Sequence, residues 1–134
     1  MFRKDAKIEL LRRVPLFADC SKRELSEIAG LADEIHFSAG RTLIEEGKPG
    51  REFFVVVDGA VEIRRKGRRV ALNDGWSFYG EAALLSGKPR NATVTTTTPV
   101  QALVINDRAF DRLLRDSPSI QRKILASLAT RLAD

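Results

Sequence analysis

The chain has 134 residues, of which 43% are hydrophobic and 31% are charged, and its formal net charge is +5. This length predicts one globular domain and excludes two full ones. The longest apolar run, residues 53–57, is far shorter than the roughly 20 residues of a membrane-spanning helix. The basic start leads into no apolar signal core. We therefore expect one soluble, cytoplasmic domain without a membrane span.

Scarce cysteine and histidine exclude several classes of chemistry. Cys20 is the only cysteine and His36 the only histidine. An internal disulfide, a multi-histidine metal site and a paired nucleophile and base are therefore unsupported. We expect a protein that is not an enzyme, with no catalytic residue, no metal and no cofactor. For Cys20 we expect a semi-buried position in a turn between helices.

Residues 1–33 show helical patterns. A first helix over residues 5–13 ends before Pro15, which disfavours its continuation. In the second helix, Ser21 is the expected N-cap and Glu24, three residues on, completes a capping box. The apolar face of this second helix consists of Leu25, Ile28, Ala29 and Leu31.

From residue 34 to residue 106 the pattern changes to that of short strands. Glycines separate seven candidate strands, Ile35 to Ser38, Thr42 to Glu45, Phe53 to Asp58, Val61 to Arg64, Arg69 to Leu72, Thr93 to Thr97 and Val100 to Ile105. Many short strands with glycine turns predict a sandwich, roll or barrel. A helix and loop over residues 80–92 interrupt the strands, and such insertions in a compact β core are usually functional.

Five basic residues surround Gly67 and admit two interpretations. They are a nucleic-acid patch, or they are solvated side chains at a hairpin tip, where they discourage edge pairing. We favour the hairpin. No zinc-finger spacing occurs and no helix-turn-helix fits after the strands, so we expect no DNA-binding domain in this chain.

Residues 107–134 predict two further helices. Asn106 or Asp107 caps the first, and Ser117 caps the second, with Pro118 at its first position. The second helix carries one apolar stripe, Ile120, Ile124, Leu125, Leu128 and Leu132. This stripe needs a partner surface, which is either the roll, a second copy of the chain or another protein.

The insertion over residues 80–92 combines groups that suit a sugar phosphate. A carboxylate only accepts hydrogen bonds, so Glu81 suits a pair of hydroxyls, whereas the forked guanidinium of Arg90 suits a phosphate. Gly87 and Pro89 prevent a continuous helix and turn the chain back. The acid and the base can then face one small ligand.

This insertion also carries a resemblance to a known family. The pattern Gly-Glu-x-Ala-Leu followed by Pro-Arg-x-Ala resembles the phosphate-binding cassette of cyclic-nucleotide-binding domains, and residues 43–59 resemble the family's strand-turn-strand signature. The resemblance implies an α+β, mainly β fold over residues 1–134. It is an antiparallel jelly-roll-like β-roll (double-stranded β-helix) with N-terminal helices and two C-terminal helices.

The resemblance also implies roles for the cassette residues. In it, Glu81 takes the ribose 2′-hydroxyl and Arg90 pairs with the cyclic phosphate. Small side chains and backbone amides let the chain approach the phosphate and sugar, at Gly80, Ala82, Ala83 and Ala92. Asn91 departs from the pattern, because alanine, serine or threonine is typical there and threonine is associated with a preference for cGMP. The amide of Asn91 can reach a phosphate oxygen or the purine, which leaves the ligand choice open.

The implied function is that of a regulatory sensor for a cyclic nucleotide, with cAMP expected first and cGMP next. Ligand binding would order the cassette, and the C-terminal helices would then close over the purine. The alternative function is a ligand-independent interaction module with a degenerate pocket. Such a module would pair two chains, or dock on a partner protein, through the last helix.

Overall fold

A computed structural model describes residues 3–84 and 89–133, which divide into two compact units. The roll unit is Asp33–Asp107, and the helical unit combines residues 3–32 with residues 108–133. The helical unit is therefore built from two segments that are far apart in sequence.

The predicted helices form close to their expected bounds. They are α1 (Lys4–Arg12), α2 (Lys22–Ala29), α3 (Asp107–Asp116) and α4 (Pro118–Ala133), with a 3₁₀ helix at Pro15–Phe17. Ser117 caps α4 as expected, since its carbonyl accepts from the Gln121 amide at 3.1 Å and its hydroxyl from the Ile120 amide at 3.4 Å. Among the described residues, no helix is both long and apolar enough to cross a membrane.

Glu24 ties two helices of the helical unit together. The predicted capping box is present, because the Ser21 amide donates to Oε1 of Glu24 at 2.8 Å and the Glu24 amide donates to the Ser21 hydroxyl at 3.2 Å. The same carboxylate accepts hydrogen bonds from Lys123 and, at 2.7 Å, from the Ser119 hydroxyl. The hydrogen bond from Lys123 is the largest of several effects that lower the pKa of Glu24 to about 2. One buried carboxylate thus caps α2 and holds α4.

Cys20 is more deeply buried than the expected semi-buried position, with 6% of its surface exposed. Burial, followed by the charge of Glu24, raises the pKa of its thiol to about 11. The thiol is therefore protonated at neutral pH, which makes it a poor nucleophile.

The described residues form eight strands, one more than predicted. These are β1 (Ala32–Phe37), β2 (Thr42–Ile44), β3 (Glu52–Asp58), β4 (Ala60–Arg65), β5 (Arg68–Asp74), β6 (Ser77–Tyr79), β7 (Thr93–Thr96) and β8 (Val100–Asn106). The additional strand is β6, which pairs antiparallel with β3.

The strands form two four-stranded sheets, ordered β1-β8-β3-β6 and β2-β7-β4-β5. Both sheets contribute to one buried core, composed of Ile44, Phe54, Val56, Val61, Val94, Val100, Ala102 and Val104. The antiparallel β-roll expected from the sequence is confirmed.

The glycine among the basic residues lies at a hairpin tip, as predicted. Lys66 and Gly67, between β4 and β5, have φ angles of +53° and +78°. Two consecutive positive φ angles fit the tight turns that join antiparallel strands. On the neighbouring strands, Glu62 forms ion pairs with Arg64 at 2.6 Å and Arg69 at 4.0 Å.

The apolar stripe of α4 is only partly buried. Ile120 and Ile124 are 0% and 1% exposed, whereas Leu125 is 60% exposed. Leu125 follows Ile124 directly and therefore lies about 100° further around the helix. The side chain of Leu132 lies outside the described residues.

We predict that Glu24→Gln lowers the free energy of unfolding by roughly 2 kcal/mol at neutral pH, because it removes the charge that Lys123 faces. The folded-state pKa of Glu24 is depressed, so its stabilisation is present above its ordinary pKa of 4.5 and is lost as the pH falls toward 2. Urea denaturation from pH 7 to pH 2 measures both effects.

The matched control is Glu27→Gln, because Glu27 is an exposed carboxylate on the same helix. Its effect on stability should be small at every pH. A stability difference between Glu24→Gln and the unmodified chain that did not shrink on acidification would contradict this assignment of the ion pair.

Candidate functional site

The predicted site follows β6. Gly80 has a φ angle of +85°, and the 3₁₀ helix Glu81–Leu84 comes next and lies against β3. The turn expected at Gly87 lies outside the described residues, which resume at Pro89. Among the described residues, a short 3₁₀ helix thus follows β6 in place of a strand, as the sequence indicated.

The backbone of Arg90 is fastened to the turn between β2 and β3. Its amide donates to the Lys48 carbonyl at 2.9 Å, and its carbonyl accepts from the Gly47 amide at 2.8 Å. Pro49 and Pro89 form an isolated antiparallel bridge beside these bonds. The position of Arg90 therefore depends on the upstream strand-turn-strand segment.

The guanidinium of Arg90 is also held by the backbone. Its Nη2 donates to the carbonyl oxygen of Glu52 at 2.5 Å, and this is its one hydrogen-bond partner among the described residues. Arg90 is half-buried, and burial lowers its pKa, while the negative charges of Glu52 and Asp107 oppose that shift. Because a guanidinium carries five N–H donors and stays charged at neutral pH, most of its donors are left for a ligand.

Gly80 leaves the space that this guanidinium occupies. A Cβ atom added at Gly80 would lie 2.8 Å from the Glu52 carbonyl oxygen and 3.2 Å from Cζ of Arg90. The positive φ angle disfavours other residues independently. The structure therefore brings two predicted site residues, Gly80 and Arg90, into direct contact.

Asp107 is a member of this group that the sequence did not identify. The cross-strand pair Glu52 and Asn106 places Asp107 next to Glu52, and the Asp107 amide donates to the Arg51 carbonyl at 2.9 Å. Its Oδ1 atom is buried and has no hydrogen-bond partner in the described part of the chain. Asp107 was predicted only as a helix cap, and its charge also acts on Arg90.

The other predicted site residues have less defined roles in the structure. Glu81 is half-buried at the start of the 3₁₀ helix, and Ala92 is 8% exposed. Asn91 is exposed, and its carbonyl oxygen accepts from Nε of Arg65 at 3.2 Å. The side chains of Ala82 and Ala83 lie outside the described residues, although their backbone belongs to the 3₁₀ helix.

Three contributions to the site were missed because they come from the main chain. Gly47 and Lys48 hold the Arg90 backbone, and Glu52 holds its guanidinium through a carbonyl oxygen. A carbonyl is the same in every residue, so side-chain identity gives no signal for it. From the sequence, the upstream segment was identified only by its resemblance to the strand-turn-strand signature, and the structure shows that it also positions the arginine.

Together these contacts define a class of protein. It is an antiparallel β-roll with a half-buried, oriented guanidinium suited to a small anionic ligand. The model of the cyclic nucleotide-binding domain matches residues 34–117. The chain belongs to this family.

Different kinds of protein contain regions that are similar to this chain. The cAMP-dependent protein kinase regulatory subunit of Aspergillus fumigatus is 37% identical over 116 residues, which cover 84% of this chain and 28% of that protein. The cyclic nucleotide-gated potassium channel mll3241 of Mesorhizobium japonicum is 37% identical over 112 residues, which cover 84% of this chain and 31% of the channel. The chain thus spans less than a third of the length of these curated relatives.

A solved structure shares almost the whole fold. The N-terminal domain of a transcriptional regulator from Streptomyces coelicolor A3(2) superposes with a TM-score of 0.83 at 32% identity, covering 92% of both chains. A kinase subunit, a channel and a transcriptional regulator therefore contain regions similar to this chain, and the resemblance stated from the cassette residues is confirmed.

We predict that Gly80→Ala destabilises the chain more than Gly75→Ala does. Both glycines have similar positive φ angles, +85° and +88°, but nothing lies within 4 Å of a Cβ at Gly75. The strained backbone should cost about 1 to 2 kcal/mol at either position. The steric clash at Gly80 should add roughly 1 to 3 kcal/mol. Equal losses in urea denaturation would contradict the close approach of Arg90 to Gly80.

Proposed function

We propose that this chain is a cytoplasmic cAMP-binding sensor domain in which Arg90 binds the cyclic phosphate. The observation that carries this proposal is the half-buried guanidinium with one carbonyl partner among the described residues. Burying a charge is unfavourable unless the charge is paired and hydrogen-bonded. A phosphate oxygen pair would supply both the opposite charge and the missing acceptors.

Glu81 would bind the ribose. It follows Gly80, which contacts the arginine, and its carboxylate can accept from a 2′-hydroxyl. Backbone amides of Ala82, Ala83 and Ala92 would help to hold the phosphate and sugar. The similarity to the cAMP-dependent protein kinase regulatory subunit of Aspergillus fumigatus supports cAMP as the ligand.

We propose binding without turnover. Two of the similar proteins, a kinase regulatory subunit and a transcriptional regulator, are named for regulatory roles. Among the described residues, no group of three or more histidine, cysteine, aspartate or glutamate side chains is arranged to hold a metal ion. The site groups described above, a guanidinium and carboxylates, suit recognition of a sugar phosphate.

Asp107 offers a route from the ligand to the C-terminal helices. Its charge acts on Arg90, and it is also the first residue of α3. A bound phosphate would replace this carboxylate as the main opposite charge near Arg90. The repulsion between phosphate and carboxylate would then favour a different arrangement of the first turn of α3, which is how ligand binding would reach the helices that follow.

Pairing or docking through the last helix is the alternative role. In the described part of α4, Ile120 and Ile124 are buried and Leu125 is the large hydrophobic residue that is more than half exposed. A single exposed leucine offers little apolar area for a stable interface. This small apolar area and the charge environment of Arg90 together favour the sensor over a module that works only through α4.

We predict that Arg90→Ala weakens cAMP binding by about a hundredfold, which corresponds to roughly 3 kcal/mol for a charge-assisted fork of hydrogen bonds. Arg90→Lys should recover part of this loss, because it keeps the charge but not the fork. Isothermal titration calorimetry with cAMP and cGMP measures both variants.

The control is Arg69→Ala, which removes an exposed arginine of the β4–β5 hairpin and should leave the affinity unchanged. An absence of binding at millimolar cAMP and cGMP, in protein shown to be folded and free of nucleotide, would refute the sensor function.

We predict that Asn91→Thr shifts the preference toward cGMP by several-fold, because a hydroxyl can both donate to and accept from a guanine base. The hydrogen bond from Nε of Arg65 to the carbonyl oxygen of residue 91 does not involve the side chain of residue 91 and should survive. The measurement is the ratio of the two affinities, and Asn91→Ser is the matched control for the hydroxyl alone. An unchanged ratio in both variants would place residue 91 outside the selectivity determinants.

A further inference from the structure

Strand β5 has an open and partly apolar edge. Among the residues that the structure describes, β5 lies at the end of its sheet and pairs only with β4. Val70 and Leu72 on this strand are 53% and 57% exposed, and of the large hydrophobic side chains described, only Leu125 is exposed to a similar degree. An edge of this kind can add another strand.

The sequence of β5 is complementary to itself. Read from Arg68 to Asp74 it is Arg-Arg-Val-Ala-Leu-Asn-Asp, with basic residues at one end, amide and acid at the other, and two apolar residues around Ala71. We propose that β5 pairs antiparallel with β5 of a second copy of this chain, with the two-fold axis at Ala71. The β2-β7-β4-β5 sheets of the two copies would then become one continuous sheet.

Antiparallel pairing around Ala71 matches each residue with a suitable partner. Arg68 of one copy lies opposite Asp74 of the other, and Val70 of one copy lies opposite Leu72 of the other. Arg69 lies opposite Asn73, whose side-chain oxygen can accept a hydrogen bond. Directly opposed side chains on two strands are neighbours, so the symmetry produces every one of these contacts twice.

The charged ends of β5 are available for this pairing. Arg68 and Asp74 are exposed, and neither forms an ion pair with any described residue. Elsewhere on the hairpin, Glu62 already partly neutralises Arg64 and Arg69. The positive charge of the hairpin therefore meets a carboxylate in the partner and does not oppose another arginine.

A bulge limits how strong this association becomes. The register of β4 against β5 shifts between Ile63 and Arg64, so Ile63 pairs with Ala71 while Arg64 pairs with Arg69, and Val70 is left as the additional residue. Bulges interrupt the hydrogen-bond ladder and increase the local twist. A short edge contact of this kind belongs to the weak, transient class of interfaces, which associate at high micromolar concentration.

Sedimentation of the full chain at micromolar to millimolar concentration, without nucleotide, tests the proposal. We expect a concentration-dependent dimer that Arg68→Glu and Asp74→Lys each weaken by about tenfold or more, because each substitution sets like charges opposite one another twice. An equimolar mixture of the two variants should restore dimers. In that heterodimer the introduced glutamate of one variant faces the introduced lysine of the other, and the retained Asp74 faces the retained Arg68. Both substitutions change exposed side chains, so folding should be retained.

Leu125→Asp is the control, because it alters the exposed position on α4 and should leave the dimer intact. The proposal is overturned if the chain stays monomeric at every concentration, or if dimers persist in both charge variants. It is equally overturned if Leu125→Asp abolishes the dimer, which would place the interface on the last helix, or if the mixture of charge variants fails to restore association.

Discussion

The partial burial of the Arg90 charge is the constraint on which the rest of the site depends. A buried guanidinium is unfavourable unless neighbouring groups compensate for its lost hydration. Here one backbone carbonyl and two carboxylates compensate in part, and they come from β3 and from the first residue of α3. Gly80 leaves the space, and the turn after β2 fixes the backbone. Four separate parts of the chain therefore contribute to placing this one charged side chain.

This arrangement also explains why a β-roll is suited to positioning the guanidinium of Arg90. The pairing of β3 with β8 keeps Glu52 opposite Asn106, which fixes the carbonyl that orients the guanidinium and the carboxylate that acts on its charge. The core between the sheets consists of apolar side chains. The paired strands thus hold these polar groups in place, and Gly80 and Arg90 of the cassette contact Glu52. Rigid strands position a site more accurately than loops alone.

The sequence predicted the elements whose patterns are long or chemically distinctive. The capping box at Ser21 and Glu24, the proline start of α4 and the glycine hairpin tip were predicted and are confirmed. Strand β6 was not among the seven predicted strands, although β2 is equally short and was predicted. The second set of bonds made by Glu24 was not predicted either, since Lys123 is 99 residues away and no local pattern encodes that contact.

For the candidate site, the sequence indicated candidate side chains but not the groups that hold them. Gly80 and Arg90 were expected together, and the structure brings them into contact. The contribution of Glu52 comes from its carbonyl, which every residue has, and that of Asp107 depends on a cross-strand register that appears only after folding. Candidate side chains can therefore be proposed from the sequence, whereas the contributions of main-chain groups become visible only in the folded structure.

The contacts of Glu24 have a consequence for the order in which the chain folds. Its partners Ser119 and Lys123 are 95 and 99 residues further along the chain. The whole roll therefore lies between Glu24 and these two partners in sequence. Contacts at such separation require a large loop to close, which slows folding. During synthesis, the contacts from Glu24 to Ser119 and Lys123 can form only after the roll and the start of α4 have been made. The helical unit is thus completed last, although its first half is made first.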